Sequence, residues 1–133
     1  MTQTSEQTPT KRKVIVADDE ETIATTLAII LNQAGFEARA VFSGEQVVEL
    51  LDSFQPEMLI TDVIMPGMTG IEVAIALRDS LPDCRILLFS GQAATADLLE
   101  QAKTHGHEFE IVAKPIHPSD LLAKLGMPNI TYS

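Results

Sequence analysis

Several residue types are scarce in this 133-residue chain, and each scarcity argues against a class of protein. It has a single cysteine, Cys84, so an internal disulfide is impossible and a reducing compartment is indicated. Nine basic residues face 19 acidic ones, a formal net charge of −10, which argues against a general basic surface for nucleic acid. No apolar run approaches the ~18 residues that span a bilayer. We therefore expect a cytoplasmic protein that binds neither nucleic acid nor membrane.

The length and the distribution of polar residues predict one domain. A chain of 133 residues suits a single hydrophobic core. Residues 1–11 are polar and contain no apolar signal core, so we predict a disordered leader there. The predicted domain covers residues 12–126 and is followed by a short C-terminal tail, 127–133. Because no output domain is predicted after it, we expect a stand-alone protein.

Five short apolar runs predict β-strands. Three of them are continuously apolar, as expected for strands that are covered on both faces of a parallel sheet. The second run alternates small or aromatic apolar residues with Glu37 and Arg39, a pattern that suits the edge of a sheet. The predicted strands are 13–18, 36–41, 57–62, 84–90 and 109–113.

Helical patterns follow each of these strands. Residues 21–34 repeat apolar side chains at the 3.6-residue period, and Gly35 can close that helix. Ser43 and Gln46 have the spacing of a capping box, which predicts the start of the next helix. Strict alternation of strand and helix predicts a doubly wound α/β fold, (βα)5, with a five-stranded parallel sheet in the flavodoxin-like order 2-1-3-4-5. The predicted helices are 21–34, 43–54, 70–80, 94–106 and 118–126.

Three carboxylates fall at the carboxyl ends of two strands that this order makes neighbours. Asp18 and Asp19 end the first strand, and Asp62 ends the third. Because adjacent strands lie about 5 Å apart, these side chains should crowd one pocket and repel one another unless a cation joins them. Mg²⁺, a hard ion held by carboxylates and water, suits such a pocket. The competing interpretation is that Asp18 and Asp19 only cap the helix that begins near Glu20, since acidic residues are common in first turns.

Two further polar side chains fall at strand ends. Ser90 ends the fourth strand, and Lys114 follows the fifth. A hydroxyl and an ammonium beside a metal-bound carboxylate describe a phosphoryl site in which Asp62 is the nucleophile. Taken singly, Ser90 could be a loop cap and Lys114 a solvated surface lysine. Their combination with the aspartates predicts the site.

These residues lie in four segments that resemble the receiver domains of two-component response regulators. The segments are VIVADDEE, MLITDVIMPGMTGIEVA, ILLFSG and VAKPIHPSDLLAKL, and the resemblance covers residues 12–125. It implies that Asp62 accepts a phosphoryl group from a histidine kinase or a phosphotransfer protein in a Mg²⁺-dependent reaction. It also implies that Asp19, Asp62 and the backbone carbonyl of Ile64 bind Mg²⁺ directly, and that Asp18 binds it through water.

The resemblance also assigns roles around the phosphoryl group. It implies that Ser90 and Lys114 hold the phosphoryl oxygens and that the peptide bond before Pro115 is cis. Receivers usually carry an aromatic ring three residues before this lysine, and the ring swings inward on phosphorylation. Ile111 stands there in this chain, or Phe109 if the register slips, so we predict a switch formed by Ser90 and Ile111. The predicted output face comprises the fourth helix, the fifth strand and the fifth helix, and it binds a downstream protein.

Other functions stay open on the sequence alone. A haloacid-dehalogenase-type phosphatase also uses an aspartyl nucleophile and Mg²⁺, but it requires Asp-x-Asp after the first strand, where this chain has Asp18-Asp19-Glu20. A flavin or nucleotide binder of the same fold would need a glycine-rich phosphate loop after that strand. A receiver could also serve as a phosphate sink or as a shuttle in a phosphorelay. We expect a signalling protein that is not a turnover enzyme, apart from self-dephosphorylation, and that is monomeric before phosphorylation.

Overall fold

The computed structural model describes residues 11–91, 95–107, 109–114 and 117–125. Strands and helices alternate strictly along these residues. The strands are β1 (Lys13–Ala17), β2 (Glu37–Val41), β3 (Met58–Asp62), β4 (Arg85–Ser90) and β5 (Glu110–Ala113). The helices are α1 (Glu21–Gln33), α2 (Gly44–Leu50), α3 (Gly70–Ser80), α4 (Thr95–Thr104) and α5 (Pro118–Lys124).

The strands form one parallel sheet in the order β2-β1-β3-β4-β5. The predicted fold class and strand order are confirmed, and β2 lies at an edge, as its alternating pattern indicated. Because β1 and β3 are neighbours with Ala17 opposite Thr61, the residues at their carboxyl ends emerge side by side. At the far side of the sheet, β4 and β5 align Ser90 with Ala113, the residue directly before Lys114.

Apolar layers cover both faces of the sheet. Alternate residues of β1 point to opposite sides, as the period of a strand requires. Val14 and Val16 pack in the layer that contains α1 and α5, whereas Ile15 and Ala17 pack in the layer that contains α2, α3 and α4. Every residue of β3 is buried. This two-sided burial explains why β1, β3 and β4 have continuously apolar sequences.

The exposed edge of β2 is partly covered by a side chain from α1. The Asn32 amide donates to the carbonyl of Ala38 at 3.2 Å and accepts from the Ala38 backbone N–H at 2.8 Å. The two bonds satisfy backbone groups that face outward from the edge strand, where they would otherwise be available to another chain. Nothing in the sequence pattern predicted this contact.

Where the chain is described, the helix limits lie within two residues of the predicted ones except at the end of α2. This helix ends at Leu50 instead of reaching Phe54. The N–H groups of Ser53 and Phe54 and the Ser53 hydroxyl all converge on the carbonyl of Leu50, which turns the chain and buries the Phe54 ring. The predicted cap is present, since Ser43 Oγ accepts from the N–H of Gln46, although the Gln46 side chain reaches the N–H of Phe42 instead of that of Ser43.

Some predictions lie outside the described residues. The predicted leader, apart from Lys11, and the predicted tail belong to this group, as do Pro115 and Gly126. Within the described part of the chain, no helix has both the length and the apolar character needed to cross a bilayer.

Candidate functional site at the carboxyl ends of the strands

Three carboxylates meet where β1 and β3 end. Asp18 and Asp19 directly follow β1, and Asp62 is the last residue of β3. One oxygen from each of the three carboxylates lies within 4.8 Å of the others, and Asp18 and Asp62 are buried whereas Asp19 is exposed. The sequence prediction that these three side chains converge agrees with this geometry. Oxygen ligands at this spacing suit a hard divalent cation such as Mg²⁺.

Asp18 belongs to the acidic cluster and also contacts the backbone just before α1, whose N-cap residue is Glu20. Its Oδ1 accepts the backbone N–H of Glu20 at 2.9 Å, at the start of α1, and its Oδ2 accepts from the Lys114 ammonium at 3.1 Å. The residue is only 1% exposed. A buried carboxylate is tolerated when both of its oxygens are paired, as they are here.

Lys114 bridges two of the carboxylates across β4. Its Nζ lies 3.1 Å from Asp18 Oδ2 and 3.1 Å from Asp62 Oδ2. The lysine follows β5, so its stem must pass β4 to reach β3 and β1. Gly91 lets this stem pass closely, because a Cβ at that position would lie 3.2 Å from the Lys114 Cβ.

The electrostatics of the site are unbalanced towards negative charge. Burial raises the pKa of Asp62, the Lys114 hydrogen bond and charge act to lower it, and the charges of Asp18 and Asp19 raise it further, so the net shift is upward. Burial acts to lower the pKa of Lys114, but its hydrogen bonds to Asp62 and Asp18 outweigh burial and raise it. The two shifts are compatible, because one ammonium is shared by several carboxylates. A further cation would therefore relieve repulsion.

The loop after Asp62 is held in a tight turn. Val63 N–H donates to the carbonyl of Phe89 at 3.1 Å, and Gly70 N–H donates back to the carbonyl of Val63 at 2.9 Å. A Cβ on Gly70 would collide with the Asp62 carbonyl, so glycine is required for this close approach. At the end of the loop, Thr69 and Glu72 form a complete capping box that starts α3. The turn holds Ile64 beside Asp62.

A cavity of about 740 Å³ opens beside the carboxylates. Its polar end contains Asp19, Asp62 and Lys114, and Ile64 also lines it. Away from the charges the wall is formed by side chains of α1 together with Phe89 and Pro118. A group that binds at the carboxylates is therefore reachable from solvent along α1.

The proposed switch residues lie on β4 and β5. Ser90 is the last residue of β4, is half-buried, and its carbonyl accepts the backbone N–H of Lys114 at 3.1 Å. Ile111 pairs with Leu88 and is 40% exposed. Phe109 precedes β5. The Arg78 guanidinium lies over the Phe109 ring, with Cζ 4.2 Å from the ring centroid. In the register of β4 and β5, Ile111 is therefore nearer to Ser90 than Phe109 is.

Residues 14–126 match the family model of the response regulator receiver domain. The chain belongs to this family. Receiver domains are phosphoacceptor signalling domains of two-component systems, which take phosphate from histidine kinases, act on downstream partners and generally bind Mg²⁺ at acidic residues. Asp18, Asp19 and Asp62 form such an acidic cluster in this receiver.

Individual relatives support the same assignment. The receiver is 28% identical to the response regulator receiver protein CpdR of Brucella abortus, over 86% of this chain and 93% of that protein. It is 26% identical to the DNA-binding response regulator MtrA of Mycolicibacterium smegmatis, over 86% of this chain and 49% of MtrA, so it spans about half the length of that relative. The chemotaxis response regulator CheY4 of Vibrio cholerae superposes with a TM-score of 0.75 at 27% identity, covering 88% of this chain and 98% of that one.

Proposed function

We propose that Asp62 accepts a phosphoryl group from a phosphohistidine donor. The observation that carries the proposal is the arrangement around this carboxylate: it ends β3, lies 3.1 Å from the Lys114 ammonium, and shares a 4.8 Å cluster with Asp18 and Asp19. In the transfer, an Asp62 oxygen forms a bond to phosphorus as the bond from phosphorus to the donor imidazole breaks. The imidazole nitrogen keeps the electron pair and takes up a proton from solvent.

The donor set fits Mg²⁺, which when bound supplies positive charge that offsets the phosphoryl oxygens. We propose that Asp19, Asp62 and the backbone carbonyl of Ile64 would hold the ion directly. Asp18 would act through water, and this is supported by the hydrogen bonds that both of its oxygens already accept.

Lys114 and Ser90 would bind the oxygens of the phosphoryl group. The lysine is supported by its position, since its Nζ already lies 3.1 Å from Asp62 Oδ2. The Ser90 hydroxyl is at the end of the neighbouring strand, where β3 and β4 pair Asp62 with Phe89. An ammonium neutralises charge and a hydroxyl donates one directed hydrogen bond, so the pair suits the anionic oxygens of a phosphoryl group.

The experiment is phosphorylation by acetyl phosphate with Mg²⁺, read by intact mass. Wild type should gain one phosphoryl group, Asp62→Asn should gain none, and Asp79→Asn, which changes an exposed aspartate of α3, should behave as wild type. Persistent labelling of Asp62→Asn would reject the assignment. Failure to turn over p-nitrophenyl phosphate would support a signalling domain over a phosphatase, and sustained turnover would argue for the enzyme.

We further propose that the phosphorylated receiver signals to a downstream protein through α4, β5 and α5. Ile111 supports this, because it exposes an apolar side chain on β5, two residues before the strand meets Ser90 in register. Amide NMR of the protein with and without beryllofluoride and Mg²⁺ tests it. Shifts over residues 95–107 and 109–114 are expected, and shifts confined to residues 63–70 would show that the output uses another face.

The remaining sequence predictions stay predictions. They are a cytoplasmic location, a stand-alone chain, and a monomer before phosphorylation that binds no nucleic acid. Sedimentation of the unphosphorylated protein over a range of concentrations tests the monomer. The pathway role of switch, sink or shuttle is tested by phosphotransfer profiling with purified kinases and phosphotransfer proteins.

A further inference from the structure

The first turn of α2 packs directly on the loop that follows Asp62. Glu45 Oε2 accepts the backbone N–H of Met68 at 3.2 Å, a contact between residues 23 positions apart in sequence. The preceding residue, Gly44, is close enough that a Cβ there would lie 2.7 Å from the Met68 Cβ and 2.7 Å from Val73 Cγ2. The backbone of α2 therefore rests on the far side of this loop without an intervening side chain.

The tip of the loop is shaped to receive the Glu45 carboxylate. Gly67 has a φ of +76°, in the left-handed region that favours glycine. A Cβ on Gly67 would lie 2.7 Å from Glu45 Oε2, so the carboxylate occupies the space that a side chain would need. A hydrogen bond from a backbone N–H to an ionised carboxylate is stronger than one between neutral groups. Glu45 thus holds the loop at Gly67 and Met68.

This contact adds a third point of attachment to the loop. The loop begins at Val63, whose N–H bonds to β4, and it closes where the Gly70 N–H bonds back to Val63. Ile64 lies between these attachments and lines the cavity with Asp62. A loop that is held at its tip as well as its ends has fewer conformations to lose when a ligand orders it.

We propose that Glu45 is a positioning residue, which holds the 63–69 loop so that the Ile64 carbonyl faces the metal site. The inference rests on the proposed function, which gives that carbonyl to Mg²⁺. Glu45 itself contacts the loop and not the metal, so its effect should appear in the affinity for Mg²⁺ and in the motion of the loop. The charge of Glu45 and its hydrogen bond make separable contributions, because glutamine retains the acceptor and loses the charge.

The experiment compares three variants in the full chain. Glu45→Ala removes the acceptor, Glu45→Gln keeps an acceptor, and Glu49→Ala removes an exposed carboxylate of the same helix. Mg²⁺ alone is titrated by calorimetry, and amide hydrogen exchange of Met68 is measured without metal, with the Gly70 amide as the internal reference. We expect Glu45→Ala to weaken Mg²⁺ binding about fivefold and to speed Met68 exchange. Glu45→Gln, which keeps a weaker neutral acceptor, should lie between Glu45→Ala and wild type, and Glu49→Ala should stay within about twofold of wild type.

The outcomes separate this inference from the proposed function. If wild type binds Mg²⁺ and Glu45→Ala binds it equally well, the positioning role is overturned and the metal site stands. If Glu45→Gln weakens Mg²⁺ binding as much as Glu45→Ala does, the charge of Glu45 accounts for the effect and its hydrogen bond to Met68 does not. If wild type takes up no Mg²⁺, the proposed metal site fails together with the role of Glu45 towards it, although Met68 exchange still reports whether Glu45 holds the loop.

Discussion

Opposite charges are paired at the amino end of the sheet, whereas negative charge is in excess at its carboxyl end. At the amino end, Arg85 begins β4 and Glu110 begins β5, and the guanidinium meets the carboxylate through two bonds of 2.8 and 3.0 Å. The same Arg85 donates to the carbonyl of Lys124 at 2.9 Å, which ties the end of α5 to the sheet. At the carboxyl end, Asp18 and Asp62 share the single ammonium of Lys114, with Asp19 close by.

The pKa shifts of Glu110 and Asp62 show how this difference in charge pairing affects the stability of the fold. Hydrogen bonding to Arg85 lowers the pKa of Glu110, so ionisation of this carboxylate stabilises the folded protein. Burial raises the pKa of Asp62, with Asp18 and Asp19 adding to the rise, so ionisation of that carboxylate opposes folding. A balanced pair serves stability, whereas a buried excess of one sign is expected where a ligand of the opposite sign completes the site. Removal of the Glu110 carboxylate and removal of the Asp62 carboxylate should therefore change stability in opposite directions.

The largest expected effect is the loss of the shared cation. Lys114→Met keeps most of the stem against Gly91 and removes the ammonium, so Asp18 stays buried without its charged partner. We expect the free energy of unfolding to fall by about 3 kcal/mol in the absence of metal. Urea unfolding measures it, with Lys11→Met at the exposed start of the described chain as the control.

Added Mg²⁺ sharpens this prediction. Because a bound cation replaces part of the missing positive charge, Mg²⁺ should stabilise Lys114→Met more than it stabilises wild type. An unfolding free energy within about 0.5 kcal/mol of wild type without metal would show that Asp18 does not depend on Lys114.

The next effect is a gain in stability. Asp62→Asn removes one of three crowded carboxylates and leaves Lys114 bound to Asp18. Since the pKa of Asp62 is raised in the folded protein, its charge costs stability at every pH above that pKa, and the cost disappears as pH falls towards the ordinary aspartate value. Without metal we expect the variant to be about 1 kcal/mol more stable than wild type at neutral pH. Urea unfolding over a pH series tests this, and a variant less stable than wild type at neutral pH would contradict it.

The contacts at the two ends of the sheet differ in how far the sequence predicts them. The meeting of Asp18 with Asp62 was predictable, because strand order and a parallel sheet bring the carboxyl ends of β1 and β3 together. The sequence also predicted that Lys114 lies near these carboxylates, but not that its ammonium bridges Asp18 and Asp62, because its stem crosses β4 beside Gly91. Local periodicity describes one element at a time and carries no information about such a crossing.

The amino end was missed for a related reason. Arg85 and Glu110 each begin a strand, and an isolated charge at a strand entry is normally a solvated one. In the register of β4 and β5, Glu110 pairs with Leu87, two residues beyond Arg85. This offset brings the Glu110 carboxylate within reach of the Arg85 guanidinium. The sequence of either strand alone does not predict a pairing register between strands that are 25 residues apart.

The smallest expected effect completes the comparison. Glu110→Gln removes the carboxylate of the exposed Arg85 pair and should lower the free energy of unfolding by about 0.5 kcal/mol at neutral pH, because surface pairs contribute little. The pKa of Glu110 is lowered in the folded state, so this stability is present above the ordinary glutamate pKa and is lost as pH falls through the folded value. High salt should also remove it, and Glu100→Gln on the exposed face of α4 is the control.

The unfolding free energies of Glu110→Gln and Asp62→Asn should thus approach wild type at acid pH from opposite sides, one from below and the other from above. Parallel pH dependence in the two variants would show that both ends of the sheet hold their carboxylates in the same way, and that the excess of negative charge at Asp62 has no cost for the fold.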